Sequence, residues 1–196
     1  DFFTIDVADF IGEKAEQSDI DRFIKENEKY TGDFSVSGLN KKFSISVQDL
    51  SEIAIKYLYA IKKASEIYTY IENKKGKNNF IAEVSMDEVS DPQTPVELFF
   101  ILSGLAAEKI PVQTIAPKFT GRFNKGVDYA GDIEKFSNEF HADLLVIDKA
   151  LSEFDLPSNL KLSVHSGSDK FSIYPVMGKW IEKLDKGIHV KTAGTT

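Results

Sequence analysis

The 196-residue sequence contains no cysteine. Disulfides, thiolate metal sites and a cysteine nucleophile are therefore excluded. Positive charge is scarce as well, because 24 Lys and Arg residues stand against 31 Asp and Glu residues, which gives a formal net charge of −7. An acidic surface repels phosphates, so this balance argues against general nucleic-acid binding. An anionic substrate would have to meet a local group of basic side chains.

Long apolar runs are also missing. No stretch reaches the roughly 18 uninterrupted apolar residues that a transmembrane helix needs, and the chain does not open with a basic segment followed by an apolar one. We therefore expect a cytoplasmic protein that contacts neither nucleic acid nor membrane. A homo-oligomer is compatible with this sequence.

Motifs of nucleotide-binding and hydrolase sites are absent. The sequence has neither a GxGxxG nor a Walker A pattern, and Gly121, Gly126 and Gly131 are spaced too widely to form such a turn. It has neither a GxSxG elbow nor an HExxH helix. These absences argue against a tightly held nucleotide and against a serine-hydrolase mechanism.

The apolar content suffices for a sizeable core, since 42% of the residues are hydrophobic and 28% are charged. Short runs rich in β-branched and aromatic residues predict strands. Because strand-like residues stand at both ends, whereas domain ends normally lie at the surface, we expect a segment of a longer polypeptide. The predicted strands cover residues 2–8, 79–85, 112–118, 160–165 and 187–192.

Helical patterns separate most of these runs. Thr94-Pro95-Val96-Glu97 is a capping box with proline at the first helical position, and it predicts a helix that ends before Pro111. Asp132 is expected to cap a second helix. Asp49 with Glu52 is expected to open a third and longer one.

The alternation of strand and helix predicts a single α/β domain over residues 1–196, built on a parallel sheet. Residues 34–47 alternate in polarity around Gly38-Leu39-Asn40 and predict a hairpin-like insertion. We expect a parallel (β/α)8 TIM-type barrel, of which this chain carries only part. An open doubly wound sheet is the alternative.

Polar residues gather where the predicted strands end. Catalytic groups in parallel α/β folds lie at the carboxyl ends of strands. The two-residue period of a strand places Glu83, Ser85 and Asp87 on one face and the apolar Val84 and Met86 on the other. A carboxylate in mid-strand, followed by another at the strand end, can bind a divalent cation or move protons, unless the strand is a solvated edge.

His165 ends another apolar strand and precedes the small turn Ser166-Gly167-Ser168. Neutral imidazole is a common metal ligand, and backbone N–H groups of such a turn can bind a carboxylate. We therefore interpret His165 as functional rather than as a core histidine, and we expect Ser166 and Ser168 to bind substrate. His189 and Lys191 share one face of the last strand and are expected to do the same.

Basic side chains near these strand ends can supply the local positive charge that an acidic protein needs to hold an anion. Lys118, next to Pro117, is the substrate-binding candidate among them. For Arg122 and Lys125, which lie in a predicted loop, solvent exposure is the simpler interpretation. The set is Lys118, Arg122, Lys125, Lys170 and Lys191.

Several segments together resemble the bacterial tagaturonate epimerases. The likeness runs over nearly the whole chain, and the segment around His165 is long and unusual enough to be specific. The resemblance implies a longer barrel enzyme that interconverts D-tagaturonate and D-fructuronate in hexuronate (galacturonate) breakdown. The matching segments are residues 2–9, 83–88, 116–129, 163–172 and 191–195.

The same resemblance implies a divalent metal ion, with His165 and Asp128 as ligands in this chain and further site residues outside it. It assigns the acid/base role to Glu83, with Asp87 as a second catalytic acid. Histidine with carboxylates suits Zn, Mn, Co, Ni or Fe alike, so the sequence does not select the metal.

The two ketouronates differ at C4, and the C4 proton is not acidified by the C2 ketone. Retro-aldol cleavage of the C3–C4 bond avoids this difficulty, and we expect that route. Two rival readings remain open. The first is another metal-dependent sugar isomerase or aldolase on the same scaffold, and the second is a non-catalytic uronate-binding barrel.

Overall fold

The apolar runs of the sequence form a parallel sheet in the computed structural model, which describes residues 1–191. The sheet order is β1-β4-β5-β6-β7, and every neighbouring pair is parallel. The predicted parallel α/β fold is therefore confirmed. The strands are β1 (Phe2–Asp6), β2 (Gly32–Ser35), β3 (Lys42–Ile45), β4 (Ile81–Ser85), β5 (Thr114–Ala116), β6 (Lys161–Val164) and β7 (Ile188–Val190).

Five α-helices in the described part of the chain connect these strands. The predicted capping box of α3 forms at Thr94, and a second capping box, which was not predicted, forms at Ser46 at the start of α2. The prediction that Asp49 opens α2 was wrong by three residues, because the Ser46 hydroxyl accepts the Asp49 N–H and Asp49 is the third helical residue. The helices are α1 (Gln17–Asn27), α2 (Val47–Lys75), α3 (Pro95–Ala107), α4 (Ile133–Glu153) and α5 (Tyr174–Leu184).

The predicted hairpin is present as a separate antiparallel pair, β2 with β3. Gly38 in its connection has a φ of +87°, a conformation that favours glycine. Val47, expected at the end of the hairpin, is instead the first residue of α2.

The helices pack in chain order, each against the next, over the apolar face of the sheet. That face carries Ile5, Val84, Ile115 and Leu162, all at most 2% exposed. On this helix layer the indole of Trp180 stacks on His141, with ring centroids 3.7 Å apart and an interplanar angle of 12°. The apolar core thus lies between one face of the sheet and a single layer of helices.

The opposite face of the sheet is polar and strongly curved. Side chains of the two edge strands meet across it: the Phe2 ring stacks on His189 at 4.9 Å, and Lys191 Nζ lies 3.1 Å from Thr4 Oγ1. The strand order runs in one direction, and within residues 1–191 the edges of β1 and β7 are not paired with each other. The described strands therefore form an open sheet, and the closed barrel stays a prediction.

Two stretches need separate mention. The predicted strand 187–192 is observed as β7, and the final residue of that prediction lies outside the described residues, as does all of the segment 191–195 except Lys191. Among the described helices, none combines the length and the apolar character needed to cross a membrane.

Candidate active site

Glu83 is the centre of the polar face. It lies in the middle of β4 and is 0% exposed, so its carboxylate needs partners to offset the loss of water. The register places Thr4 of β1 and Thr114 of β5 directly beside it. The Thr4 hydroxyl donates to Oε1 at 2.9 Å, and the Thr114 hydroxyl donates to Oε2 at 3.1 Å.

His165 follows β6 and bridges two carboxylates. Its Nε2 lies 2.8 Å from Glu83 Oε1, and its Nδ1 lies 3.0 Å from Asp87 Oδ1. The Ser85 hydroxyl donates to the same Asp87 oxygen at 2.5 Å. The structure therefore joins the predicted residues Glu83, Asp87 and His165 in one bridge at the carboxyl edge of the sheet.

The bridge fixes the charges of its members. Burial disfavours the imidazolium, but the hydrogen bonds to Asp87 and Glu83 outweigh burial and raise the pKa of His165 to about 9. Burial likewise opposes ionisation of Glu83, yet hydrogen bonds, led by that of His165, lower its pKa to about 2. The pKa of Asp87 is lowered in the same way, against burial, by His165 and Ser85. At neutral pH the bridge is a protonated imidazole between two carboxylates.

His189 of β7 and Lys191, the residue after β7, approach the same carboxylate. His189 Nδ1 lies 3.2 Å from Glu83 Oε2 and 2.9 Å from the Ser163 hydroxyl. Lys191 Nζ lies 4.0 Å from Glu83 Oε1. Both were predicted to bind substrate, and the structure places both beside Glu83.

The remaining predicted residues have other contacts. Asp128 is exposed, and its carboxylate accepts hydrogen bonds from the backbone N–H and the hydroxyl of Ser172 at 3.1 and 3.0 Å. The backbone N–H of Lys118 donates to the Gln93 side chain at 2.7 Å. The roles predicted for Asp128 and Lys118 stay predictions.

The turn after His165 is tightly bent. Ser166 has a φ of +50°, in the left-handed region, and the carbonyl of Ser168 accepts the Tyr174 hydroxyl at 2.7 Å. The contact of Ser168 is thus with the first residue of α5, and the substrate contacts predicted for Ser166 and Ser168 stay predictions.

Lys170 does not supply charge to a binding surface, in contrast to the expectation. It is 0% exposed, and its ammonium donates to the Asn124 carbonyl at 2.8 Å and to the Asp169 carboxylate. Asp169 in turn accepts the backbone N–H of Gly126 at 2.6 Å. A buried ammonium needs such partners, so Lys170 ties the loop after β5 to the loop after β6.

Sequence reasoning missed three hydroxyl residues of the site, namely Thr4, Thr114 and Ser163. Each is a small polar residue within an apolar strand, which is the only signal available in the sequence. That signal becomes specific only when the register is known, because the register decides which hydroxyl faces Glu83.

The donor types of the bridge suit a divalent metal ion, because carboxylate oxygen and imidazole nitrogen are ligands of first-row metals. Both ring nitrogens of His165, however, are engaged by Glu83 and Asp87. Over residues 1–191, no three His, Asp or Glu side chains converge in a way that could hold a metal ion. The donor chemistry therefore fits, while the described residues alone do not complete a metal cage.

The parallel sheet, with carboxylates and imidazole at its carboxyl edge, places the chain in the α/β class with a candidate active site at that edge. Its family follows from comparison. The chain belongs to the tagaturonate epimerase family, whose model matches residues 2–196. The family resemblance of the sequence is thereby confirmed.

Individual relatives agree with this assignment. A tagaturonate/fructuronate epimerase of Thermotoga maritima is 32% identical over 162 residues, which cover 82% of this chain and 31% of that protein. A glycerol-complexed crystal structure of the fructuronate-tagaturonate epimerase of Cohnella laeviribosi has a TM-score of 0.74 and 29% identity, over 98% of this chain and 39% of that one. The native structure of the same enzyme has a TM-score of 0.70 and 28% identity, over 97% and 39%. The chain thus spans between three and four tenths of the length of these relatives.

Proposed function

We propose that this chain forms part of an enzyme that interconverts D-tagaturonate and D-fructuronate at C4. The observation that carries the proposal is the Asp87–His165–Glu83 bridge at the carboxyl edge of the sheet, in a chain of the tagaturonate epimerase family. The bridge offers ionised carboxylates as proton acceptors and a protonated imidazole as a proton donor. Retro-aldol interconversion of the two sugars requires a group that accepts the proton of the C4 hydroxyl and later returns it.

The reaction would proceed by cleavage and re-formation of the C3–C4 bond. Glu83 accepts the proton of the C4 hydroxyl while the C3–C4 bonding electrons pass to the C2–C3 fragment, which becomes an enediolate, and C4 becomes an aldehyde. The aldehyde rotates about its C4–C5 bond and presents its other face. The C3–C4 bond then forms again, and Glu83 returns the proton to the C4 oxygen.

The two fragments must stay in place between cleavage and re-formation. Among the described lysines and arginines, Lys191 is the one within 4.0 Å of the Glu83 carboxylate, and its side chain is 42% exposed. It would hold the substrate carboxylate and so anchor the aldehyde fragment while its far end rotates. Predicted contacts of Lys118, Ser166, Ser168 and His189 with substrate belong to the same proposal.

We further propose that the enzyme uses a divalent metal ion, with His165 and Asp128 as its predicted ligands in this chain and further ligands outside it. His165 would bind such an ion in its neutral form, so the imidazole would have to lose a proton and release one of its two carboxylate partners. Such an ion would act as a Lewis acid on the substrate carbonyl. Imidazole nitrogen and carboxylate oxygen are donor types that first-row divalent metals bind, which supports this assignment.

Turnover of D-tagaturonate carrying deuterium at C4 tests both the activity and the route. The full-length protein is expected to produce D-fructuronate that retains the deuterium, because the C4–H bond is never broken in retro-aldol chemistry. Loss of deuterium to solvent would overturn the retro-aldol route while leaving the epimerase activity intact. A lack of D-fructuronate would overturn the activity itself.

A further inference from the structure

The hydroxyl of Thr4 has two partners of opposite kind. Lys191 Nζ lies 3.1 Å away, and Glu83 Oε1 lies 2.9 Å away. An ammonium group can only donate hydrogen bonds, and an ionised carboxylate can only accept them. Thr4 must therefore accept from Lys191 and spend its single O–H proton on Glu83. The three groups form a chain of hydrogen bonds with one fixed direction.

Thr114 holds the other oxygen of Glu83 without this second link. Its hydroxyl donates to Oε2 at 3.1 Å, and it lies on β5, the neighbour of β4 on the side away from β1. Among the described residues, Thr4 is the hydroxyl that contacts both Glu83 and Lys191. Both threonine hydroxyls thus donate a hydrogen bond to Glu83, and Thr4 additionally accepts one from Lys191.

Lys191 has donors left over. An ammonium carries three N–H groups, one of which is used on Thr4, and the side chain is 42% exposed. The remaining donors can bind an anion on the open side of the curved sheet. Through Thr4, the position of that ammonium is linked to the position of the Glu83 carboxylate.

We propose that Thr4 is a positioning residue that couples Lys191, the anchor of the substrate carboxylate, to Glu83, the catalytic carboxylate. This inference rests on the proposed function. Lys191 would bind the uronate carboxylate with its free N–H groups while it donates one hydrogen bond to Thr4. Thr4 in turn donates to Glu83 and helps to orient that carboxylate. Substrate anchoring and acid/base geometry are then set by one residue.

Replacing each threonine by the isosteric valine separates the coupling from simple support of Glu83. We expect Thr4→Val in the full-length enzyme to raise KM and to lower kcat, each about tenfold, the size of one lost hydrogen bond to a charged group. Thr114→Val should lower kcat by a similar factor, about tenfold, with KM unchanged. Thr4→Ser, which keeps the hydroxyl, should restore both constants. Equal KM values for the two valine variants would overturn the coupling.

A second measurement does not depend on turnover. Acetic anhydride labels free lysine amines, and peptide mass spectrometry gives the labelling rate of Lys191 relative to the exposed Lys77. The rate is expected to rise severalfold in Thr4→Val and to stay at the wild-type value in Thr114→Val and Thr4→Ser. Equal rates in all four proteins would overturn the link between Lys191 and Thr4. An inactive wild-type enzyme would instead overturn the proposed function, and the labelling would still decide the link.

Discussion

At Glu83 a carboxylate occupies a strand position that most α/β sheets fill with an apolar side chain. Hydroxyls from both neighbouring strands and two imidazoles converge on its two oxygens. So many partners keep a fully buried carboxylate ionised. A charged side chain in a buried strand departs from the apolar pattern of the core. Such departures are expected at functional sites, which supports a catalytic role for Glu83.

Glu83→Gln is expected to lower kcat/KM for D-tagaturonate by about 10²- to 10⁴-fold, because glutamine keeps the size of the side chain but cannot take up a proton. Steady-state turnover of the full-length enzyme measures this. Glu88→Gln is the matched control, because it is the same substitution at an exposed position five residues further along the chain. Comparable loss in both variants would contradict the role of Glu83.

Asp143 provides a test of stability at the residue scale. It is 4% exposed on α4, and burial, followed by the negative charge of Glu139, raises its pKa well above the usual value. A raised pKa means that the folded protein binds more protons than the unfolded chain, so stability falls as the pH rises above the ordinary aspartate pKa.

Asp143→Asn should therefore stabilise the protein at pH 8.5 by about 1–3 kcal/mol, the usual cost of a buried polar group that is poorly partnered, and should have little effect at pH 4. Urea unfolding at the two pH values measures the difference. Asp155→Asn, at an exposed position, serves as the control and should leave the pH dependence unchanged. A gain of equal size at both pH values would show that charge is not the cause.

At the scale of the elements, two helical glycines offer opposite outcomes. A Cβ at Gly178 of α5 would meet nothing within 4 Å, whereas a Cβ at Gly104 of α3 would lie 2.7 Å from Ile61 Cδ1 of α2. Gly178→Ala should stabilise the protein by about 0.5–1 kcal/mol through helix propensity. Gly104→Ala should lose that gain to overpacking, which costs about 1–3 kcal/mol.

Denaturant unfolding of the two variants checks this prediction. Ile61→Val removes the methyl group that the new Cβ would meet, so the pair Ile61→Val and Gly104→Ala is expected to be less destabilising than the sum of its parts. Additive effects would mean that α2 and α3 do not meet as closely as the structure has them.

Elements with strong local signals were predictable, and elements without them were not. The capping box of α3 and the Asp132 cap of α4 predict the starts of their helices, whereas α2 was predicted to start three residues late. α1 begins after Glu16, whose side chain makes no capping hydrogen bond, and α5 likewise has no side-chain cap. Both helices escaped prediction for that reason. The sequence singled out Glu83, Asp87 and His165, which the structure brings together, whereas Thr4 and Thr114 depend on a register that only the folded sheet provides.

At the scale of the whole molecule, the curvature of the sheet is what assembles the site. β1 and β7 are the two edges of the sheet, yet Lys191 of one side reaches Thr4 of the other. A flat sheet would separate these groups by four interstrand steps of about 4.8 Å each, or about 19 Å. The polar cluster is therefore a property of the sheet as a whole.

Metal removal is the prediction that belongs to this scale, because the proposed ligands come from separate segments of the chain and from outside it. The full-length enzyme is expected to contain about one divalent ion per protein, to lose activity on chelation and to regain it when the ion is restored. Elemental analysis with activity measured before and after chelation tests this. Full activity after complete metal removal would contradict the Lewis-acid proposal and leave Glu83 and His165 with acid/base roles alone.

The stack of Trp180 on His141 has a consequence for the intrinsic fluorescence of the protein. Trp180 is the single tryptophan of the sequence, so all indole emission originates at the seam where α4 meets α5, against an imidazole 3.7 Å away. This fluorophore lies in the helix layer, on the other side of the sheet from the polar face. Indole fluorescence is therefore expected to change when α4 and α5 separate, and to stay unchanged when a sugar binds on the polar face of the sheet.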